Sequence, residues 1–278
     1  VPRHKWGQNF LIDLNLMRLL VEEAGLTGRE TVLEVGCGTG SMTDLLAQRA
    51  GAVVAVDIDE QLIAIAAQEW KEHQNITFIC ADVLARKSAI DPEVLAAVAW
   101  GRAAYGGRFL LMANLPYQVA SPLMIDLLLG SAVPDGMYVT IQAEVAERIL
   151  AEPGTKAYGL LSILLQGTGT VQLLRKLKPT VFWPMPNVQS AVVVWRKDPG
   201  KFGAIRDIRV FKHVIERLLG QRRKKIKNCL PESETGGGIL GLLAEAQIDP
   251  DARGETVEPE KYLHLANLLA EGGCWADQ

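Results

Sequence analysis

With 278 residues, 49% of them hydrophobic and 22% charged, the chain has an ordinary globular composition and length for one large domain or two unequal ones. Its four cysteines (Cys37, Cys80, Cys229, Cys274) contain no C-x-x-C pair and its four histidines are scattered. That supports neither a disulfide framework nor a metal centre, and a reducing cytoplasm is the expected compartment. No signal peptide and no membrane-spanning run are expected.

The net charge of −3 hides an asymmetry. Arg206 to Leu230 holds nine Lys/Arg against two acids, whereas Pro231 to Gln278 holds two basic residues against ten acidic ones. A local polyanion site fits this better than general stickiness, although a solvated helix face has the same composition.

In chain order, Arg3 to Asp13 mixes basic, amide and aromatic residues, and Asp13 is a plausible N-cap for a helix carrying Leu14, Met17, Leu20 and Val21. Thr31 to Val35 reads as a buried strand ending in Gly36-Cys37-Gly38-Thr39-Gly40, with Ser41 expected to cap the next helix. Glycines between a strand and a helix let a ligand approach the backbone N–H groups closely. The G-x-G-x-G spacing differs from the dinucleotide fingerprint, and no basic residue stands ready for a pyrophosphate. A nucleoside ligand without phosphates, such as S-adenosyl-L-methionine, fits better.

Ala52 to Val56 is a second strand ending in Asp57, 17 residues past Gly40, where nucleotide-binding sheets place a ribose-binding carboxylate. Asp59 is expected to cap the helix that follows. Ile76 to Cys80 is a third strand, and Asp82 just beyond it is placed to accept from an adenine amino group, or simply to hold a turn. A short helix from Pro92 to Trp100, broken by Gly101, precedes the fourth strand. That strand, Phe109 to Met112, leads into Asn114-Leu115-Pro116-Tyr117. Pro116 fixes its own φ and biases Leu115 to an extended conformation, so an amide is held beside a phenol at a strand end. Further strands are expected at Met137–Gln142, Gly169–Leu174 and Ser190–Trp195, with a stiff aromatic loop from Phe182 to Val188. With Pro184 and Pro186 beside it, Phe182 is expected on an exposed rigid loop rather than in the core. The alternation implies an α/β doubly wound sheet. Beyond Pro199-Gly200 only helices are expected, which gives domains at 1–199 and 200–278.

Several segments in this order resemble the small-subunit ribosomal RNA adenine N6,N6-dimethyltransferases of the KsgA type. They are Gly7-Gln8-Asn9-Phe10-Leu11, Glu34-Val35-Gly36-x-Gly38-x-Gly40, Asn114-Leu115-Pro116-Tyr117, Gln142-x-Glu144-Val145-x-x-Arg148, Ala157-Tyr158-Gly159-x-Leu161-Ser162, Phe182-x-Pro184-x-Pro186-x-Val188-x-Ser190-Ala191 and Gln221-Arg222-Arg223-Lys224. The resemblance departs at Cys37, where Pro is usual, at Asp57, usually Glu, at Gln118-Val119-Ala120, and at Leu219, where an aromatic is common.

The resemblance implies a Rossmann-like class I methyltransferase domain followed by a small helical, RNA-contacting domain. It implies a cofactor site for S-adenosyl-L-methionine built by Asn9, Leu11, Gly36, Gly38, Asp57, Asp82 and Asn114. The catalytic group it implies is Asn114, Leu115, Pro116 and Tyr117 with Phe182, and Arg222, Arg223, Lys224, Lys225 and Lys227 would hold RNA phosphates, with Arg3 and Lys5 as further candidates. On this reading Asn114 and the Leu115 carbonyl accept the two hydrogens of an adenine amino group, and Tyr117 and Phe182 stack on the extruded base at ~1–3 kcal/mol each. The implied substrate is a pair of adjacent adenosines in the 3′-terminal hairpin loop of small-subunit rRNA, met in a pre-30S particle by a monomeric enzyme without metal. Rival readings are a large-subunit rRNA adenine methyltransferase of the macrolide-resistance type, a DNA adenine methyltransferase, and a non-catalytic ribosome-assembly or transcription factor on the same fold.

Overall fold

A computed structural model describes residues 9–84, 89–231, 235 and 238–272. Arg3, Lys5, Gly7, Gln8 and Cys274 lie outside the described residues. The chain divides into two compact units, Val1–Ala146 with Gln172–Arg196, and Glu147–Val171 with Lys197–Gln278. This differs from a single cut at 199/200, because residues 147–171 group with the C-terminal helices.

The first unit is built on a seven-stranded sheet. Its strands are β2 (Thr31–Val35), β3 (Ala52–Asp57), β4 (Ile76–Cys80), β5 (Phe109–Asn114), β6 (Gly136–Gln142), β7 (Gly169–Leu177) and β9 (Ser190–Lys197), in the order β4-β3-β2-β5-β6-β9-β7. The strands from β4 through β6 pair in parallel, and β9 runs antiparallel to β6. Strands β2 and β3 are buried along their whole length, as a parallel strand covered on both faces must be. Val32, Val53, Ala55, Leu110 and Met112 share one face with apolar residues of α1 (Leu14–Ala24) and α2 (Ser41–Ala47). On the other face α4 (Pro92–Tyr105) crosses Thr31 and Ala52. The fold is thus doubly wound, as the alternating pattern implied.

Several local expectations are corrected. Gly101 does not break α4, which runs on to Gly106; a Cβ at Gly101 would lie 2.8 Å from the Thr31 side chain and 3.1 Å from Ala52 Cβ. Gly101 is therefore the point of closest helix–sheet approach. Ser41 is the first residue of α2, whose N-cap is Gly40. Asp13 does cap α1, accepting from the N–H groups of Asn15 and Leu16, and Asp59 caps α3 (Glu60–Glu69). The Phe182 loop contains a short strand, β8 (Phe182–Trp183), paired antiparallel with β1 (Phe10–Leu11). Helix α5 (Ala120–Leu129) follows the tetrapeptide, and α6 (Ala143–Ile149) follows β6.

In the second unit α7 (Leu160–Thr168), α9 (Ile208–Leu219) and α11 (Pro259–Glu271) share an apolar core that includes Leu164, Phe211, Ile215 and Leu265. The short helices α8 (Pro199–Gly203) and α10 (Ile239–Glu245) also belong to this unit. The Tyr158-Gly159-x-x-Ser162 motif is a set of polar ties. The Tyr158 hydroxyl donates to the Val257 carbonyl (2.8 Å), Ser162 Oγ donates to the Arg148 carbonyl, and the Gly159 N–H donates to Ser162 Oγ (3.1 Å). Among the described residues no helix is long and apolar enough to cross a membrane.

Replacing Tyr158 by Phe strands the buried Val257 carbonyl and should lower stability by about 1–2 kcal/mol. Urea unfolding should show this as a lower midpoint with an unchanged slope.

Candidate active site

Strand order places the site. From β2 the chain runs outward through β3 to β4, then returns to β5 on the other side of β2. The crevice beyond the carboxyl ends of β2 and β5 is the topological switch point, where open α/β sheets hold their ligands. A cavity of about 370 Å³ opens there, lined entirely by residues of the first unit.

Each strand end contributes one group to the cavity. Gly36 follows β2 with φ +76, a left-handed conformation in which a side chain would be strained. It also faces the tetrapeptide: a Cβ there would lie 3.6 Å from the Asn114 carbonyl oxygen and 3.6 Å from Pro116 Cδ. Asp57 ends β3 and is held at both oxygens, with Oδ2 accepting from the Gly38 N–H and Oδ1 from the Asp59 N–H, each at 2.9 Å. Burial pushes its carboxyl above the ordinary carboxylate range, against the pull of these backbone bonds. Asp82, beyond β4, is exposed, and its Oδ1 accepts from the Leu84 N–H at 3.0 Å. It therefore holds a turn and lines the cavity together.

At the end of β5, Asn114 Nδ2 donates to the Asn9 carbonyl at 2.8 Å. A carbonyl can only accept, so the amide nitrogen must face Asn9 and Oδ1 is turned away from it. The Leu115 N–H donates to the Thr140 carbonyl, and the next turn closes on the Pro116 carbonyl, which accepts from Val119 and Ala120. Asn114 is thus fixed at its side chain and Leu115 at its N–H. The Tyr117 hydroxyl lies 3.3 Å from Ser190 Oγ, which ties the aromatic ring to β9.

Phe182 differs from its expected exposure. It is 4% exposed, belongs to the first unit's core, and faces the cavity. The reason is strand alternation: Leu11 and Phe182 are cross-strand partners pointing inward, while Trp183 points out and is 56% exposed. Phe10 packs over Gly38, where a Cβ would be 3.1 Å from its ring, and stacks on Trp183 with centroids 6.4 Å apart.

Sequence reasoning passed over Glu34. It lies in β2, 2% exposed, lines the cavity, and accepts a hydrogen bond from Thr43 Oγ1 at 2.6 Å. The available signal was a carboxylate in the middle of an apolar parallel strand, a buried acid that needs a partner. Its pKa is pushed up to about 8, by burial first, with the Thr43 hydroxyl opposing and the Asp57 charge adding. Among the described residues, the cavity lining therefore includes Glu34, Asp57 and Asp82 but no Lys, Arg or His. With Glu34 protonated up to about pH 8, its part is that of a neutral hydrogen-bonding group, and the lining suits a phosphate-free ligand better than a dinucleotide. Among the described residues, no group of three or more His, Cys, Asp or Glu is placed to hold a metal ion.

The basic belt belongs to the second unit and is not uniform. Arg222 donates to the Tyr158 carbonyl at 2.9 Å, and Lys225 and Lys227 both pair with Asp251, at 3.0 and 2.7 Å. Arg223 and Lys224 are exposed and make no ion pair with any described residue.

The folded Glu34 carboxyl keeps its proton to about pH 8, whereas an unfolded one loses it near 4.5. The folded state thus binds more protons in that window, and stability falls as pH rises from about 4.5 to 8. Glu34→Gln should flatten that fall by a few kcal/mol at most, read as the unfolding free energy at pH 5 and pH 8.

Comparison with known proteins identifies the family. The family model described as ribosomal RNA adenine dimethylase matches residues 2–271. The chain is 38% identical to the ribosomal RNA small subunit methyltransferase A of Geobacillus thermodenitrificans, covering 95% of this chain and 89% of that protein. It is also 38% identical to the protein of that name from Pelotomaculum thermopropionicum, over 98% of this chain and 92% of the relative. Among solved structures, a dimethyladenosine transferase from Plasmodium falciparum shares the fold with a TM-score of 0.77 at 20% identity, covering 95% of this chain and 98% of that one. The 23S rRNA methyltransferase ErmE does so with a TM-score of 0.66 at 24% identity, covering 94% and 100%. By the family match over nearly its whole length and by these relatives, the chain belongs to the ribosomal RNA adenine dimethylase family.

Proposed function

We propose that the chain is an S-adenosyl-L-methionine-dependent rRNA adenine N6,N6-dimethyltransferase acting on two adjacent adenosines in the 3′-terminal hairpin loop of small-subunit rRNA. The observation that carries the reading is the Asn114 amide, oriented by Asn9 at the switch point of a cavity whose described lining holds carboxyl groups and no cation. The naming of the curated relatives as small-subunit enzymes favours that substrate over the large-subunit alternative. Family membership with an intact tetrapeptide favours an active enzyme over a non-catalytic assembly factor.

Asp57 would hold the cofactor's ribose hydroxyls, Asp82 its adenine, and Asn9, Leu11 and Gly36 its remaining edge, while Gly38, outside the cavity lining, would act through the N–H it donates to Asp57. Bound there, S-adenosyl-L-methionine supplies an electrophilic methyl group on a positively charged sulfur. The exocyclic nitrogen of adenine is a poor nucleophile because its lone pair is delocalised into the ring. Asn114 Oδ1 and the Leu115 carbonyl accept its two hydrogens, which localises the lone pair and aims it. Tyr117 and Phe182 offer the base two faces, and the contacts offset the cost of unstacking it. Most of the acceleration then comes from positioning in a water-poor pocket rather than from a general base. Arg223 and Lys224 are the cations ready for RNA phosphates; Lys225 and Lys227 can exchange Asp251 for phosphate at little cost, since exposed pairs are worth about 0–1 kcal/mol.

Asn114→Ala should lower the rate of methyl transfer at saturating cofactor by roughly 100-fold or more, read in a single-turnover assay. Full transfer by that variant would remove the proposed role. Reversing charge at Arg223 and Lys224 together should weaken RNA binding and reduce its salt slope by about 2, while leaving cofactor affinity alone.

A further inference from the structure

The hydrogen bond that fixes Asn114 comes from far away in the chain. Its acceptor is the Asn9 main-chain carbonyl, 105 residues earlier, at 2.8 Å. Asn9 leads directly into β1, which is only two residues long. That strand is held by the Phe10–Trp183 and Leu11–Phe182 register, by the Ile12 N–H donating to the Val181 carbonyl at 2.9 Å, and by burial of Leu11 opposite Phe182. The structure therefore contains a small strap that shares one hydrogen bond with the site's amide.

An asparagine amide has two ends of nearly the same shape and opposite polarity. With its nitrogen on the Asn9 carbonyl, it presents oxygen to the pocket, the polarity an amino group needs. Flipped, it would present N–H groups to a substrate N–H and set two oxygens against each other at Asn9. We propose that β1 is a positioning strap: through the Asn9 carbonyl it selects the amide polarity at Asn114, so the site is competent for an amino-group substrate only while the strap is docked. This deepens the adenine methyltransferase reading and rests on it for the nature of the substrate.

Asn114→Asp tests the polarity directly, because an aspartate keeps the shape but donates only when protonated. Among the described residues, the charged or titratable groups lining the cavity from the surrounding elements are Glu34 on β2, Cys37 in the glycine turn, Asp57 on β3, Asp82 beyond β4 and Tyr117 in the tetrapeptide, with no Lys, Arg or His. The acids disfavour another negative charge, so the introduced carboxyl should titrate above the ordinary aspartate value of about 3.9. Below that transition it donates to Asn9 and accepts from substrate; above it two acceptors face each other and the strap leaves. At saturating cofactor and RNA, the ratio of variant to native kcat should therefore be highest near pH 5 and fall about tenfold per pH unit above the transition. The Ile12 amide should lose its protection from hydrogen exchange over the same range in the variant, and keep it in the native chain.

A ratio that is flat, or that rises with pH as a better acceptor would make it, with Ile12 protection unchanged, overturns the proposal. The exchange arm needs no RNA. If the native chain transferred no methyl group to adenine, the function would fail, while Ile12 protection would still decide whether the amide and the strap are coupled.

Discussion

The parallel pairing of β2 with β5 is the constraint on which the site depends. Its register sets Thr31 beside Phe109 and Leu33 beside Leu111, so the two strands end together and bring Gly36 against Asn114. Because the neighbouring strands diverge from this pair in opposite directions, a crevice must open between their ends. The close approach of Gly36 to the Asn114 carbonyl and to Pro116 makes the glycine turn and the tetrapeptide one packed unit. A ligand bound by one is therefore already positioned by the other. The buried aliphatic strands beneath have little freedom to shift, which holds the two turns in fixed relation.

Electrostatics then chooses among the ligands such a crevice can take. Backbone N–H groups at a glycine turn are common to many nucleotide folds and would serve a phosphate as readily as an adenosyl group. Here one of those N–H groups, that of Gly38, is already spent on Asp57, and two more carboxyl groups line the wall. A phosphate would therefore find one donor fewer at this turn and acidic side chains beside it.

Much of this was legible in the sequence. Strand ends, the G-x-G-x-G turn and the tetrapeptide could be read locally because each depends on periodicity and on Gly and Pro backbone rules. What was not legible depended on partners distant in the chain. Gly101 looks like a helix breaker until Thr31 and Ala52 are seen beneath it. Phe182 looks exposed until β1 arrives as its partner strand and alternation turns it inward. Glu34 carried a signal in being charged on an apolar strand, but its Thr43 partner lies on the following helix. The belt at residues 222–227 reads as one charge run, and only the positions of Tyr158 and Asp251 separate its members.

Arg222 shows what that separation entails. Its guanidinium donates to the main chain of Tyr158, the residue whose own hydroxyl ties down the Val257 carbonyl. A cation that looks like one of five interchangeable phosphate ligands is also a brace between two segments of the helical unit. A substitution at this position changes packing and charge at once, so Lys, which keeps the charge but not the planar fork of donors, is not an equivalent replacement. Its neighbours Arg223 and Lys224 carry no such double duty among the described residues, and they are the positions where this surface is free to drift in charge without cost to the unit's architecture.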